Sequence, residues 1–230
     1  MAEPEAVIVD IARLIDHTLL RPDATAEDIR RLCEETAQYR FASACVASCW
    51  VSFAREELDR MGATDIPVCS VVGFPFGSAS TLAKTQEARA AVGDGAGEID
   101  AVINVGYLRS GLTGLVKLDI AGIVGAAGGA TVKIIIETCY LTDAQKVEAG
   151  LIVKGAGADF VKTSTGYGPA GARLEDIALL KREVPGIKIK ASGGIRTLEQ
   201  AIAFTEAGAS RIGTSAGPAI ATGARGAGKR

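Results

Sequence analysis

The sequence predicts an α/β protein, a TIM (β/α)8 barrel built as a single domain. Eight short β-like runs recur along 230 residues, and helical patterns alternate with them. Barrels of this kind run to about 250 residues as one unit. A composition of 48% hydrophobic and 23% charged residues is that of a globular chain rather than a disordered one.

Each element has its own signal. The expected strands are 14–18, 42–47, 68–74, 98–104, 131–138, 159–164, 187–192 and 211–214. The first helix, 26–39, opens after Thr25, with Asp28 three residues on as a loose capping box. Amphipathic stretches follow at 52–61, 80–94, 143–155 and 174–184. The last, 197–207, opens with Thr197 and Glu199 and is closed by Gly208. A doubly wound open sheet is the alternative, but it would use an early GxGxxG turn, and none is there. The barrel domain is expected over 1–220, with 221–230, small, glycine-rich and basic, as a flexible tail.

Composition excludes several function classes. A net charge of −2 offers no electrostatic footprint for nucleic acid. No apolar run approaches the ~18 residues of a membrane span. The acidic start, MAEPEAVIVD, lacks the basic region and cleavage site of a signal peptide, so a cytoplasmic protein is expected. The five cysteines contain no CxxC and sit mostly in apolar segments, as buried thiols of a reducing compartment do. Cys45 and Cys49 are four apart, but His17 is the only histidine, so a zinc set would have to be nearly all cysteine. No metal and no cofactor are expected. Acid–base work falls to carboxylates, lysines, tyrosines or water.

Strand parity locates the candidate chemistry. Side chains of a barrel strand alternate between interior and exterior. In 98–104 one face carries Glu98, Asp100, Val102 and Asn104, and the other Ile99, Ala101 and Ile103. From 131, Lys133, Ile135 and Glu137 oppose Val132, Ile134 and Ile136. Phe160, Lys162 and Ser164 share one face of their strand, and Lys188, Lys190 and Ser192 one face of the next. Four consecutive strands thus point charge inward, and buried charges must pair with one another. One strand lysine alone reads as a snorkelling side chain. Two lysines and a carboxylate on converging strands read as a site at the C-terminal mouth of the barrel.

A lysine amine is nucleophilic only when neutral, and an ordinary pKa near 10.4 keeps it protonated at pH 7. Burial and a second cation both disfavour the charged form. Lys162 and Lys190, on neighbouring strands, would supply that second cation to each other. Asp100 would compensate the remaining cation and move protons through water. Such a set suits Schiff-base chemistry, where an imine on lysine is the electron sink for carbon–carbon cleavage. Glycines supply the other half: Gly166 in TSTGYG, Gly193 and Gly194 in ASGGIR, and Gly213 in RIGTSAG. Each follows or closes an expected strand at one end of the barrel, where backbone N–H groups can approach an anion. Ordinary βα turns are also glycine-rich. Three such loops with Ser or Thr donors beside a candidate lysine suggest a small phosphorylated substrate.

At these residues the chain resembles the deoxyribose-phosphate aldolase family, class I aldolases on a TIM barrel. The matching segments are IDHTLL, VVGFPFG, GEIDAVINVG, VKIIIETCYLT, GADFVKTSTGYG, IKASGGIRT and RIGTSAG, in the family's order. The resemblance implies cleavage of 2-deoxy-D-ribose 5-phosphate to D-glyceraldehyde 3-phosphate and acetaldehyde, its reversal, and a place in deoxyribonucleotide catabolism. It makes Lys162 the Schiff-base nucleophile. Lys190 would lower the Lys162 pKa and join the proton relay. Asp100 would be the acid/base partner, acting with a water. Asp16 would support the second lysine, and Gly166, Gly193, Gly194, Gly213 and Ser215 would line the phosphate site. No partner is implied beyond the sugar phosphate and acetaldehyde, apart from a homo-oligomer, with a dimer expected.

The chain departs from the family's pattern in places. Tyr167 stands where some members carry a lysine, which removes a direct cation from the phosphate, and Arg196 is a candidate replacement. Some members end in a tyrosine that helps proton transfer. This chain ends Gly-Lys-Arg, leaving that role to water and Asp100. His17 reads as a packing and hydrogen-bonding residue, Cys45 as a buried wall, and Trp50 and Tyr39 as core or interface. Two other functions fit less of the sequence. Another phosphate-binding barrel would leave the inward lysines unexplained, and an inactive sugar-phosphate sensor has little use for a mutually repelling lysine pair.

Overall fold

The structure, a computed structural model, describes residues 11–223. Eight parallel strands close into a barrel in chain order: β1 (Ile15–Leu19), β2 (Ser43–Val46), β3 (Val68–Val72), β4 (Ala96–Val102), β5 (Thr131–Ile135), β6 (Phe160–Lys162), β7 (Lys188–Ser192) and β8 (Arg211–Thr214). The ring closes where Ile212 of β8 lies beside Ile15 of β1. This is the TIM barrel that the alternation of runs predicts.

Around it lie α1 (Ala26–Tyr39), α2 (Val51–Arg60), α3 (Thr81–Gly93), α4 (Val105–Arg109), α5 (Thr113–Ala126), α6 (Asp143–Gly155), α7 (Leu174–Glu183), α8 (Leu198–Glu206) and α9 (Gly217–Ala221). Thr25, Thr142 and Thr197 each close a capping box at the start of α1, α6 and α8. Among the described residues no helix is long and apolar enough to cross a membrane. Residues 224–230, most of the expected tail, lie outside the described residues.

Three helices, α4, α5 and α9, fall outside the elements expected from the sequence. In α5 the segment TGLVKLDIAGIVGA carries three glycines and little amphipathic contrast, which hides its period. Tertiary packing overrides that weak propensity. Val116, Ile120 and Ile123 are buried one turn apart. Gly122 lets α3 approach, for a Cβ there would sit 3.2 Å from Thr85 Oγ1. Asp119 of α5 also accepts from Lys84 of α3 at 2.7 Å, and the same ammonium reaches Val102 O of β4 at 2.8 Å.

Five strands end earlier than expected: β2 by one residue, β3, β4 and β6 by two, and β5 by three. Asn104 leaves the sheet to cap α4, its Oδ1 accepting from Tyr107 N at 3.0 Å. Glu137, two residues past β5, adopts a left-handed backbone with φ 51°. Neither side chain therefore joins an interior row as strand parity suggested. Lys188 departs as well. It shares the inward parity of β7 but stands exposed at the strand's first residue, its Nζ 5.3 Å from the Phe160 ring centroid.

The main core lies between sheet and helices. Ile99, Ala101, Val132, Ile134, Val161, Ile189 and Ile212 are buried there together, as the outer-face parity requires. Inside the barrel Cys45, Cys69 and Val71 form a small apolar cluster. Val102, Ile135 and Phe160, on the inward faces of β4, β5 and β6, are buried as well, but the charged residues of those same faces make the centre of the molecule an ionic cluster rather than a second oily core.

The loop after β3 depends on Gly77. Its φ is +68°, and a Cβ there would lie 2.0 Å from Ile103 O. Replacing Gly77 with alanine is expected to lower stability by at least about 1 kcal/mol from the backbone conformation alone, with the collision adding to it. Urea unfolding of the variant measures this.

Candidate active site

Asp100 is the hub of the barrel interior. It lies on β4, fully buried, and accepts from three lysines on the next three strands. Its Oδ1 takes Lys133 Nζ at 2.8 Å. Its Oδ2 takes both Lys162 Nζ at 2.7 Å and Lys190 Nζ at 2.6 Å. The registers explain this convergence: Asp100 lies opposite Lys133, and Lys162 opposite Lys190. Alternate residues of parallel neighbours point to one face, so the lysine stems rise together into the interior.

A second carboxylate, Asp16 of β1, completes the cluster. It pairs with Lys190, accepts from Arg211 Nε at 2.7 Å and from Ser43 Oγ at 2.8 Å. Glu98 pairs with Lys133 at 2.7 Å and with Arg211. Four cationic side chains thus meet three carboxylates among the residues named here.

Burial opposes ionisation of Asp100, Asp16, Lys190 and Lys133, and the neighbouring charges outweigh it. Asp100 is held well below the usual carboxylate range by Lys133, Lys162 and Lys190 against the cost of burial. Asp16 is lowered likewise by Lys190, Lys133 and Arg211. Burial works against the Lys190 ammonium, but Asp100 and Asp16 raise it above its ordinary value. Lys133 is raised well above its own by Asp100, Cys69, Asp16 and Glu98, again against burial. Lys133 and Lys190 are therefore fixed cations, and Asp100 and Asp16 fixed anions.

Lys162 ends β6 and opens into a cavity of about 360 Å³ at the C-terminal mouth. The same cavity is lined by Gly166, Gly193, Gly194, Gly213 and Ser215. Every phosphate-site residue expected from the sequence thus shares one space with Lys162. Gly193 and Gly194 take φ of 93° and 82°, which turns the chain sharply beyond β7. Gly213 serves differently. It lies within β8, and a Cβ there would come within 3.0 Å of Lys190 Cε, so its glycine makes room for the lysine stem. Arg196 also lines this cavity, as does Arg21, which sequence reading did not single out. Arg21 is engaged by Asp23 and Asp28.

Other residues find their places. His17 points away from the cluster and meets Glu35 of α1 at 2.7 Å, with Phe41 against its ring. Cys45 is fully buried beside Cys69, whose Sγ donates to Asp100 at 3.2 Å. The Cys45 and Cys69 sulfurs and a carboxylate oxygen of Asp100 lie within 4.8 Å of one another. Three ammonium groups already occupy that carboxylate, which disfavours a divalent cation there. Lys133, Glu98 and Arg211 were missed as site residues. For Lys133 and Glu98 the signal was present in the inward parity of their strands. Arg211 alternates with Gly213, but a strand-opening arginine gave no hint that it reaches two carboxylates.

Such a site defines an enzyme built on lysine amines and carboxylates at the mouth of a parallel barrel. The comparison with known proteins narrows the class. Residues 11–223 match the model of the DeoC/LacD family aldolases, and the chain belongs to that family. It is 67% identical over 217 residues to the deoxyribose-phosphate aldolase of Methanocella arvoryzae, covering 94% of this chain and 96% of that protein. The deoxyribose-phosphate aldolase of Thermococcus gammatolerans is 53% identical, with 95% and 98% covered. The deoxyribose phosphate aldolase structure from Aeropyrum pernix, described as tetrameric, superposes with a TM-score of 0.86 at 34% identity, over 94% of this chain and 91% of that one.

Proposed function

We propose that this aldolase cleaves 2-deoxy-D-ribose 5-phosphate into D-glyceraldehyde 3-phosphate and acetaldehyde, reversibly, through a Schiff base on Lys162. The observation that carries the reading is the position of Lys162. Its Nζ rests on Asp100, and its side chain opens into the glycine-lined cavity. Relatives of 67% and 53% identity that carry the deoxyribose-phosphate aldolase name support the choice of substrate.

Charge balance favours Lys162 as the nucleophile. Asp16, Glu98 and Asp100 balance Lys133, Lys190 and Arg211, which leaves Lys162 as the amine the cluster can hold neutral. It holds only one carboxylate oxygen, and shares that oxygen with a fixed cation. The free amine attacks C1 of the open-chain sugar, and water leaves as the imine forms. Once protonated, the imine draws in the electron pair of the C2–C3 bond while the C3 hydroxyl gives up its proton. Glyceraldehyde 3-phosphate departs, and the enamine takes a proton at C2 before water releases acetaldehyde. Asp100 stays ionised throughout. It faces the positive nitrogen and orients a water, which carries the protons that these steps exchange. The loops at Gly166, Gly193, Gly194 and Ser215 direct backbone donors at the phosphate.

Product analysis tests the reading. Incubation with deoxyribose 5-phosphate is expected to release equal amounts of glyceraldehyde 3-phosphate and acetaldehyde, and any other product pair would overturn it. The phosphate assignment has its own test. Ser215→Asp places a carboxylate at the exposed rim of the cavity. KM for deoxyribose 5-phosphate is expected to rise at least about tenfold, the size of one lost charged contact, while kcat/KM for unphosphorylated deoxyribose holds.

A further inference from the structure

Tyr167 takes no part in the mechanism above, yet the structure ties it to loops from around the barrel mouth. Its hydroxyl donates to Leu20 O, in the loop after β1, at 2.9 Å. Its ring meets Phe74, in the loop after β3, edge to face at 5.4 Å and 89°. Its backbone N–H donates to Thr165 Oγ1 at 3.0 Å. Thr165 is held in turn by the buried carboxylate of Glu137, which lies beyond β5 and accepts from both the Thr165 N–H and its hydroxyl. A half-exposed ring fastened from several sides is a rigid wall rather than a loose rim residue.

That wall has a cavity on each face. On one side lies the polar, glycine-lined cavity that holds Lys162. On the other lies a cavity of about 250 Å³ with Phe76, Val102 and Val105 among its apolar walls. Among the described residues only Thr165 and Tyr167 line both. The reaction proposed above uses the polar side alone, and its phosphorylated three-carbon product has no apolar end to place in the other.

We infer that Tyr167 determines acceptor specificity: its ring partitions the barrel mouth and keeps unphosphorylated aliphatic aldehydes from extending into the adjoining apolar cavity. This rests on the aldolase reading. In the aldol direction the acceptor carbonyl must reach the enamine on Lys162. With the ring in place, a straight alkyl chain is confined to the glycine-lined cavity, where Leu19, Leu20 and Ile195 are the aliphatic walls. Without it, the two cavities join and the chain gains apolar surface.

The test is kcat/KM for addition of acetaldehyde to D-glyceraldehyde 3-phosphate and to hexanal. Tyr167→Ala is expected to shift the ratio toward hexanal by at least about tenfold, the scale of discrimination set by a methylene or more in an apolar pocket. Tyr167→Phe keeps the ring and its contact with Phe74, and should stay within about threefold of the wild-type ratio. Refilling the apolar cavity with Val105→Phe in the Tyr167→Ala background should return the ratio toward wild type. A structural role alone would lower both rates together and leave the ratio unmoved in all three variants, and that result would overturn the partition. A wild-type enzyme that turns over neither aldehyde would instead overturn the aldolase reading itself.

Discussion

Lys162→Met is expected to lose aldol cleavage by at least about 10⁴-fold, the scale seen when a covalent nucleophile is removed. It should nevertheless fold as well as the wild type. Methionine keeps most of the apolar stem, and three cations still face three carboxylates in the interior. The variant therefore separates chemistry from stability. Steady-state turnover and urea unfolding on the same preparation decide it. An active variant, or one inactive only because it is unfolded, would contradict the role given to Lys162.

Asp100→Asn should show the opposite pairing of effects, with both activity and stability falling. One carboxylate anchors Lys133, Lys162 and Lys190, and an amide cannot accept from all three as an anion does. Breaking a buried ion pair costs about 3–5 kcal/mol because a charge is left uncompensated. Loss of the relay should slow cleavage at least about a hundredfold.

The pH dependence of stability adds a signature. In the wild type, Asp100 and Asp16 are held below their unfolded values, so their contribution is present above about pH 4 and is lost as pH falls further. Lys133 and Lys190 are held above theirs, so their contribution is present below about pH 10 and is lost as pH climbs through the folded values. Stability should be flat between these bounds. In Asp100→Asn the ammonium groups lose their shared anion, the folded state binds protons less readily, and stability should rise with pH across the neutral range. Chemical denaturation at several pH values reads the slope, and a flat profile in the variant would contradict the account.

Much of this site was legible before any coordinates. Period-two alternation put Asp100, Lys162 and Lys190 on inward faces, and strand order made them neighbours. Alternation also held Lys133 and Glu98, but nothing in a sequence shows that one carboxylate gathers three ammoniums. Arg211 was hidden because its reach depends on barrel closure, which brings β8 beside β1. The helix α5 was hidden for a different reason. Its Gly122 suits close approach to α3, a tertiary property that reads locally as poor helix propensity. Asn104 and Glu137 were misplaced because parity has no information on where a strand stops. One caps a helix, and the other turns left-handed to hold the Thr165 loop.

Trapping the imine tests the central claim most directly. The enzyme is treated with acetaldehyde and borohydride, digested, and mapped by mass spectrometry. Reduction of the Schiff base should leave an ethyl group on Lys162, with Lys133 and Lys190 unmodified and chelator without effect on turnover. An enzyme that cleaves deoxyribose 5-phosphate yet leaves Lys162 unmodified, or carries the ethyl group on Lys190 instead, would contradict the mechanism.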